Sequence, residues 1–416
     1  MGMNGKQLYG LSRLSTALKM GRNPALKGLS LKQKLALNYV SKESKLTDVN
    51  GKIFSNTFTP YYPSLAYDRF LEGIVKVTSG TPVPVVTNFA VTAKCPCRCW
   101  HCSFAGRRKS NDLSLEELRA AIKDVQNLGA GVIGLTGGEP LLRKDLEDII
   151  ASIGDKSMPL LFTTGFELTP ERVRRLKDAG LGVPVISLDH YTAGVHDKGR
   201  NRPGMFETAL AAIRMFQDEG FYVAVSFVPS RKLVDDKADF FKTIEFFREL
   251  GVNDMRLTSP ILAGHLTDHP EEKLSKENVA TVWEAQRMCT KTKGYPGVFA
   301  YDYFESDKFY GCGAGYNYLF IDAEGNLCPC DFTMLTFGNL REKPIPEIWA
   351  EMGRRFQAPG FGCYANRAAS LMAERASGRW PLGSEASRDV TAQCRPDRVG
   401  EVPEFYRRMG LKPPSE

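Results

Sequence analysis

Four cysteines fall within eight residues of the stretch "TAKCPCRCWHCSFAG" (92–106): Cys95, Cys97, Cys99 and Cys102. Thiols at that density serve disulfides, zinc or iron–sulfur clusters. The chain has 416 residues, enough to bury a core without covalent staples. It has no apolar run of the roughly 18 residues that a membrane span needs. The N-terminus also lacks the continuous apolar core of a signal peptide. The chain therefore reads as cytoplasmic, where dense cysteines point to metal or catalysis. A structural zinc site usually takes two ligand pairs across a longer loop, so four ligands packed this tightly suit it poorly.

Such a loop needs a rigid frame. From about residue 85 the sequence alternates strand and helix patterns. Strands are expected at 85–93, 131–137, 158–165, 183–189, 222–230 and 254–262, and helices at 114–129, 144–154, 169–180, 204–220, 238–251 and 275–289. Ser114 and Glu117 form a capping-box pattern closed by Gly129, and Thr169-Pro170 opens another helix. Six β–α units predict an α/β fold: a parallel sheet with helices outside, wound by right-handed crossovers into a full or partial barrel. Chemistry then belongs at the C-terminal ends of the strands, where Cys95 opens the first loop.

Cys95-x3-Cys99-x2-Cys102 differs from both ferredoxin spacings. It resembles the signature C-x3-C-x-Φ-C of radical S-adenosylmethionine enzymes, with His101 in the Φ position. The resemblance covers roughly residues 85–290 and implies a partial (β/α)6 barrel. It implies that the three cysteines hold a [4Fe–4S] cluster with one iron open to the amino and carboxylate groups of S-adenosylmethionine. Reductive cleavage would then give a 5′-deoxyadenosyl radical that abstracts hydrogen from a substrate. Cys97 reads as a passenger. "LTGGEP" (135–140) looks like the family's GGE motif, with Gly137 and Gly138 allowing close backbone approach and Glu139 facing the cofactor's amine. "ISLDH" makes Ser187 and Asp189 candidates for the cofactor's carboxylate and ribose. Ser226 and Ser230 are weaker candidates. The backbone of "SPILAG" (259–264) is placed beside the adenine, and His196 and Arg200 are candidates to face the substrate.

Residues 296–416 carry hairpin-like and loop patterns with five of the ten cysteines. The hairpin "GCGAGYNYLFIDAEGNLCPCDF" (311–332) resembles the opening of SPASM and twitch extensions, with "FGNLREKPIPEIWAEM" following. The chain lacks the C-x2-C-x5-C-x3-C series of a full SPASM domain, so the resemblance implies one auxiliary [4Fe–4S] cluster. Its ligands would be Cys312, Cys330 and Cys363, with the fourth from Cys328, Cys394 or the substrate. Cys289, on an apolar helix face, reads as core.

Residues 1–84 read as a helical and irregular extension, 85–295 as the barrel and 296–416 as the cluster domain. In residues 6–22, Leu8, Leu11, Leu14 and Leu18 fall within an arc of about 120° on a helix that also carries basic residues. Such a helix can lie on an anionic membrane or dock on the barrel. Hydrophobic content of 43% and charged content of 25% are ordinary. The net charge of +7 reads as spread along the chain and suits plain solubility more than an anionic partner; no nucleic acid is expected. The expectation is a radical enzyme acting on a peptide or cofactor precursor, reduced by a small flavodoxin- or ferredoxin-type protein. Alternatives are a lipid or isoprenoid substrate and, from another class, a non-catalytic zinc-binding scaffold.

Overall fold

The computed structural model describes residues 3–107, 111–376 and 380–414. The chain starts with β1 (Lys6–Gln7), α1 (Gly10–Met20) and α2 (Leu31–Ser41). Next come β2 (Thr47–Val49), β3 (Lys52–Phe54) and α3 (Leu65–Thr78). The first three strands form a small antiparallel sheet, an element not expected in this extension.

The barrel series follows: β4 (Val86–Thr92), α4 (Leu115–Leu128), β5 (Val132–Gly137), α5 (Leu146–Ile153), β6 (Met158–Thr163), α6 (Pro170–Asp178) and β7 (Val183–Ser187). Two helices, α7 (Ala193–Arg200) and α8 (Met205–Asp218), precede β8 (Ala224–Phe227). Then come α9 (Arg231–Asp235), α10 (Lys237–Glu249), β9 (Asp254–Leu257), α11 (Lys276–Lys291) and β10 (Gly297–Ala300). Local chemistry sets the boundaries. Ser114 and Glu117 cap α4 reciprocally, and Gly129 ends it at φ 112°. Thr169 caps α6 ahead of Pro170.

The seven strands β4 to β10 pair in parallel, each with its sequence neighbour. They are mostly apolar and buried on both faces, as a sheet covered by helices requires. The fold is the expected α/β class with a large parallel sheet. The sheet does not close and runs on past residue 295. After α12 (Tyr301–Phe304), β11 (Tyr318–Ile321) returns to pair in parallel with β4, and β12 (Leu327–Cys328) pairs antiparallel with β11. The C-terminal hairpin thus extends the barrel sheet at its first strand.

The rest of the C-terminal part corrects the loop-rich expectation. It holds α13 (Ile345–Gly353), α14 (Tyr364–Arg375), α15 (Ser384–Gln393) and α16 (Glu404–Met409). Short amphipathic helices separated by Gly and Pro read as irregular in sequence; they are fixed by packing of residues such as Trp349, Tyr364 and Tyr406.

Candidate active site

The loop after β4 is held at both ends by neighbouring loops. Gly138 donates its N–H to Thr92 O (2.8 Å) and Glu139 donates to Lys94 O (2.7 Å), which ties the GGE turn to the loop's entrance. Further along, Trp100 N donates to Gly199 O and His265 N to Cys102 O, both at 3.1 Å, and His265 Nδ1 lies 2.7 Å from Cys99 O. The loops after β5, β7 and β9 therefore all grip the cysteine loop.

Cys95, Cys99 and Cys102 line one cleft of about 180 Å³ with His101, Gly137, Gly138, Glu139, Ser187 and Arg200. Cys97 is fully buried and is not among the lining side chains. Its thiol is shared with the sulfurs of Cys95 and Cys99. That bond lowers both neighbours and raises Cys97 itself. Arg200 Nη1, 3.6 Å from Cys99 Sγ, favours the thiolate of Cys99 further. None of the ten cysteines is in a disulfide.

The two glycines have a different reason from the one expected. A Cβ on Gly137 (φ 118°) would lie 2.5 Å from Thr92 O, and one on Gly138 only 1.9 Å from Lys94 O. They are required for the turn to seat against β4. Glu139 is fully buried and already accepts four hydrogen bonds. Thr163 Oγ1 (2.5 Å) and Leu141 N (3.1 Å) reach Oε1; Thr164 N (2.8 Å) and Thr164 Oγ1 (2.5 Å) reach Oε2. Burial raises its pKa against the pull of those donors.

Asp189 differs from expectation. Its carboxylate does not line the cleft. Oδ2 lies 2.6 Å from Arg200 Nη2 and 3.5 Å from His101 Nε2, and Oδ1 accepts from Val228 N at 3.1 Å. Burial works to raise this carboxyl, but Arg200 and the two histidines outweigh it and hold it well below the usual range. His196 also lies behind the cleft. It is buried, and its Nδ1 accepts Asp189 N at 3.2 Å, while burial lowers its pKa to about 4. Ser226 lines the cleft, but Ser230 caps α9 instead. Ser259 and Ile261 line it, and Ser259 donates to Asp302.

Sequence reading missed the opposite wall. Arg256, on β9, is buried among Phe58, Phe162 and Tyr301. Its Nε donates to Tyr301 OH (3.1 Å) and its Nη1 to Ser226 Oγ (3.2 Å). No carboxylate lies within 4.0 Å of it among the described residues, and its Nη2 has no partner there yet is not sealed in protein. Asp331 lines the same wall, accepting from Tyr318 OH (3.0 Å) and Asn88 Nδ2 (3.0 Å). A lone arginine inside a strand buried on both faces is the signal that could have found this wall.

The C-terminal cysteines divide. Cys312, Cys330 and Cys363 act on one another electrostatically, and Glu305 is the charged group that Cys312 and Cys363 feel most. Burial raises all three thiols, Cys330 to about 12. Cys312 pairs through its backbone with Gly360, and Cys363 stands at the N-terminus of α14. Cys328, expected among the ligands, is turned away. It packs with Phe104, Phe320 and Ala323, and its sulfur accepts from Arg107 Nη1 at 3.2 Å. Arg107 is fully buried between the cysteine loop and the hairpin, bonded also to Thr333 O. Cys394 ends α15, and Cys289 is core as expected.

Among the described residues, no three His, Cys, Asp or Glu side chains converge tightly enough for a single metal ion. The thiolates of a four-iron cluster each bind a different iron, so they stand wider apart than the ligands of one ion. Three thiols on the wall of a cleft, two of them biased toward thiolate, are a donor set of that kind.

Comparison with known proteins agrees with this geometry. Residues 89–236 match the radical SAM superfamily, and residues 312–371 match the iron–sulfur cluster-binding SPASM domain. The chain is 28% identical over 306 residues to the AdoMet-dependent heme synthase of Methanosarcina barkeri, covering 67% of this chain and 86% of that one. It is 26% identical over 291 residues to the PqqA peptide cyclase of Ruegeria pomeroyi, covering 67% and 76%. In fold it resembles Streptococcus suis SuiB bound to precursor peptide SuiA (TM-score 0.57, 14% identity, 90% of this chain and 88% of that one). The chain is an enzyme of the radical S-adenosylmethionine superfamily with a C-terminal SPASM cluster-binding domain.

Proposed function

We propose that Cys95, Cys99 and Cys102 hold a [4Fe–4S] cluster that binds S-adenosylmethionine, and that the substrate is a peptide or a cofactor precursor. One observation carries the first part: these three thiols line a single cleft with the GGE turn and Ser187, while Cys97 faces the protein interior. The cofactor pair would supply a 5′-deoxyadenosyl radical on reduction by a small flavodoxin- or ferredoxin-type protein.

The chain's own residues do the rest. His101, Ser187 and the GGE turn line the cofactor end of the cleft. Glu139, with four donors already upon it, shapes that end and fixes the loop after β6. Asp189 acts from behind, holding Arg200 against Cys99. Arg256 and Asp331 form the substrate end, with Arg256 Nη2 available to an acidic group on the substrate. Phe162, Phe320 and Phe332 exclude water around the reacting carbon. The relatives named for heme synthesis and for peptide cyclisation support the substrate class.

Cys312, Cys330 and Cys363 would hold one auxiliary cluster, and the boundary between barrel and cluster domain, expected at 295/296, would lie just beyond β10, which pairs with β9. Anaerobic reconstitution tests the reading. It expects about eight irons per chain and release of 5′-deoxyadenosine with dithionite. Stoichiometric zinc without cofactor cleavage would overturn it.

A further inference from the structure

The N-terminal extension carries a surface that its own fold does not use. Leu11 (84% exposed), Leu14 (55%) and Leu18 (59%) recur on one side of α1, and α1 buries none of its residues. Of the four leucines only Leu8, ahead of the helix, is buried, against Leu46 and Ile53, with Met20 at the end of α1 half-buried on the same cluster. Next in the chain, α2 turns Ala36 and Val40 inward, contacts α16, and leaves Leu31 (74%) and Leu35 (59%) in solvent. Arg13 of α1 donates to Ser41 O of α2 at 2.9 Å, so the two helices are neighbours. The apolar face of α1 does not dock on the barrel; it stands free beside a second exposed apolar strip.

The charge around these leucines is one-sided. Residues 1–42 contain eight Lys or Arg and no Asp or Glu; the remaining 374 residues have 47 basic against 48 acidic groups. The surplus of +7 is therefore gathered here, which corrects the even spread expected from the sequence. Lys6, Lys19, Arg22, Lys27, Lys32, Lys34 and Lys42 are all exposed. Leucines in solvent among basic side chains are the composition of a helix that lies in a bilayer interface, with its apolar side between acyl chains and its cations on anionic headgroups. Among the described residues no helix is long and apolar enough to cross a membrane.

We propose that α1 and α2 seat the enzyme on the surface of an anionic lipid bilayer. The reconstituted full chain is floated with vesicles of 70% phosphatidylcholine and 30% phosphatidylglycerol, and with pure phosphatidylcholine vesicles. Partition into the anionic vesicles should be at least tenfold stronger than into the neutral ones, and should fall at least tenfold in 0.5 M salt. The Leu14→Glu/Leu35→Glu variant should lose binding at least tenfold while its thermal melt and 5′-deoxyadenosine release stay those of the wild type. The Lys32→Gln/Lys34→Gln variant should bind more weakly and with a shallower salt dependence. Equal binding to both vesicle types, or wild-type binding by the leucine variant, would overturn the proposal. So would a wild type that ignores vesicles but forms a dimer, by sedimentation, that the leucine variant abolishes; the face would then belong to a second copy.

Discussion

Arg200 Nη2 lies 2.6 Å from Asp189 Oδ2 while Nη1 of the same guanidinium lies 3.6 Å from Cys99 Sγ. One buried cation thus joins the end of β7 to the cysteine loop. Deleting it strands a buried carboxylate, which typically costs about 3–5 kcal/mol. Arg200→Met should lower the denaturation free energy by that order and weaken iron retention at the cleft. Asp189→Asn, which keeps a hydrogen-bonding partner, should cost less. Equal stability of Arg200→Met and wild type in urea titrations would contradict this role.

The GGE turn makes two separate demands. Glu139→Gln turns an amide N–H₂ toward the Thr164 N–H or toward the Leu141 N–H, since each carboxylate oxygen accepts from one of them, and should cost about 1–3 kcal/mol as well as cofactor cleavage. Gly138→Ala should be harsher, because its Cβ would sit 1.9 Å from Lys94 O and push the turn off the cysteine loop. Thermal melts and 5′-deoxyadenosine yields check both; a Gly138→Ala enzyme with wild-type melt and yield would refute the close-approach argument.

Much of this was legible in the sequence. The strands and helices between 85 and 290 followed from continuous apolar strand runs and helix caps, because both sheet faces are covered. The limits of the strands were less so. The sixth was expected to reach residue 262 but ends at Leu257, because Ser259 and Ile261 leave the sheet to line the cleft before the chain reaches Cys102 through His265. Arg256 stood out only as an arginine inside a strand; its place depends on the rings around it, supplied by Phe58, Phe162 and Tyr301 from distant parts of the chain. The pairing of β11 with β4 links residues more than 200 apart, and no local pattern encodes that.

The C-terminal cysteines give a sharp contrast. Cys328→Ala should keep the auxiliary iron, since its sulfur serves Arg107, and should cost about 1–3 kcal/mol for the unpaired donor. Cys363→Ala should lose about four of about eight irons. Iron assays and low-temperature spectra of the reduced proteins decide; loss of auxiliary iron from the Cys328→Ala protein would return Cys328 to the ligand set.

His196 should make the fold acid-labile. Burial holds its folded pKa at about 4, below the unfolded value near 6.5, among Asp189, Arg200, Asp197 and His101. The unfolded chain therefore takes up a proton that the native state refuses. Stability from this group is full above pH 6.5 and falls as the pH drops toward 4, by about 2 kcal/mol at pH 5. Urea titrations of the cluster-free protein at pH 7.5 and 5 measure it. His196→Asn, which preserves an acceptor for Asp189 N, should flatten that slope; an unchanged slope would exclude His196 as its source.

The central claim concerns one iron, facing the cleft beside Cys95, Cys99 and Cys102, that lacks a protein thiolate. Electron–nuclear double resonance on the reduced enzyme with S-adenosylmethionine carrying ¹⁵N in its amino group tests it directly. A ¹⁵N coupling that appears with the labelled cofactor, and vanishes in the Cys95→Ala/Cys99→Ala/Cys102→Ala protein, is the predicted result. A reduced cleft cluster with no coupling to the labelled nitrogen would contradict it.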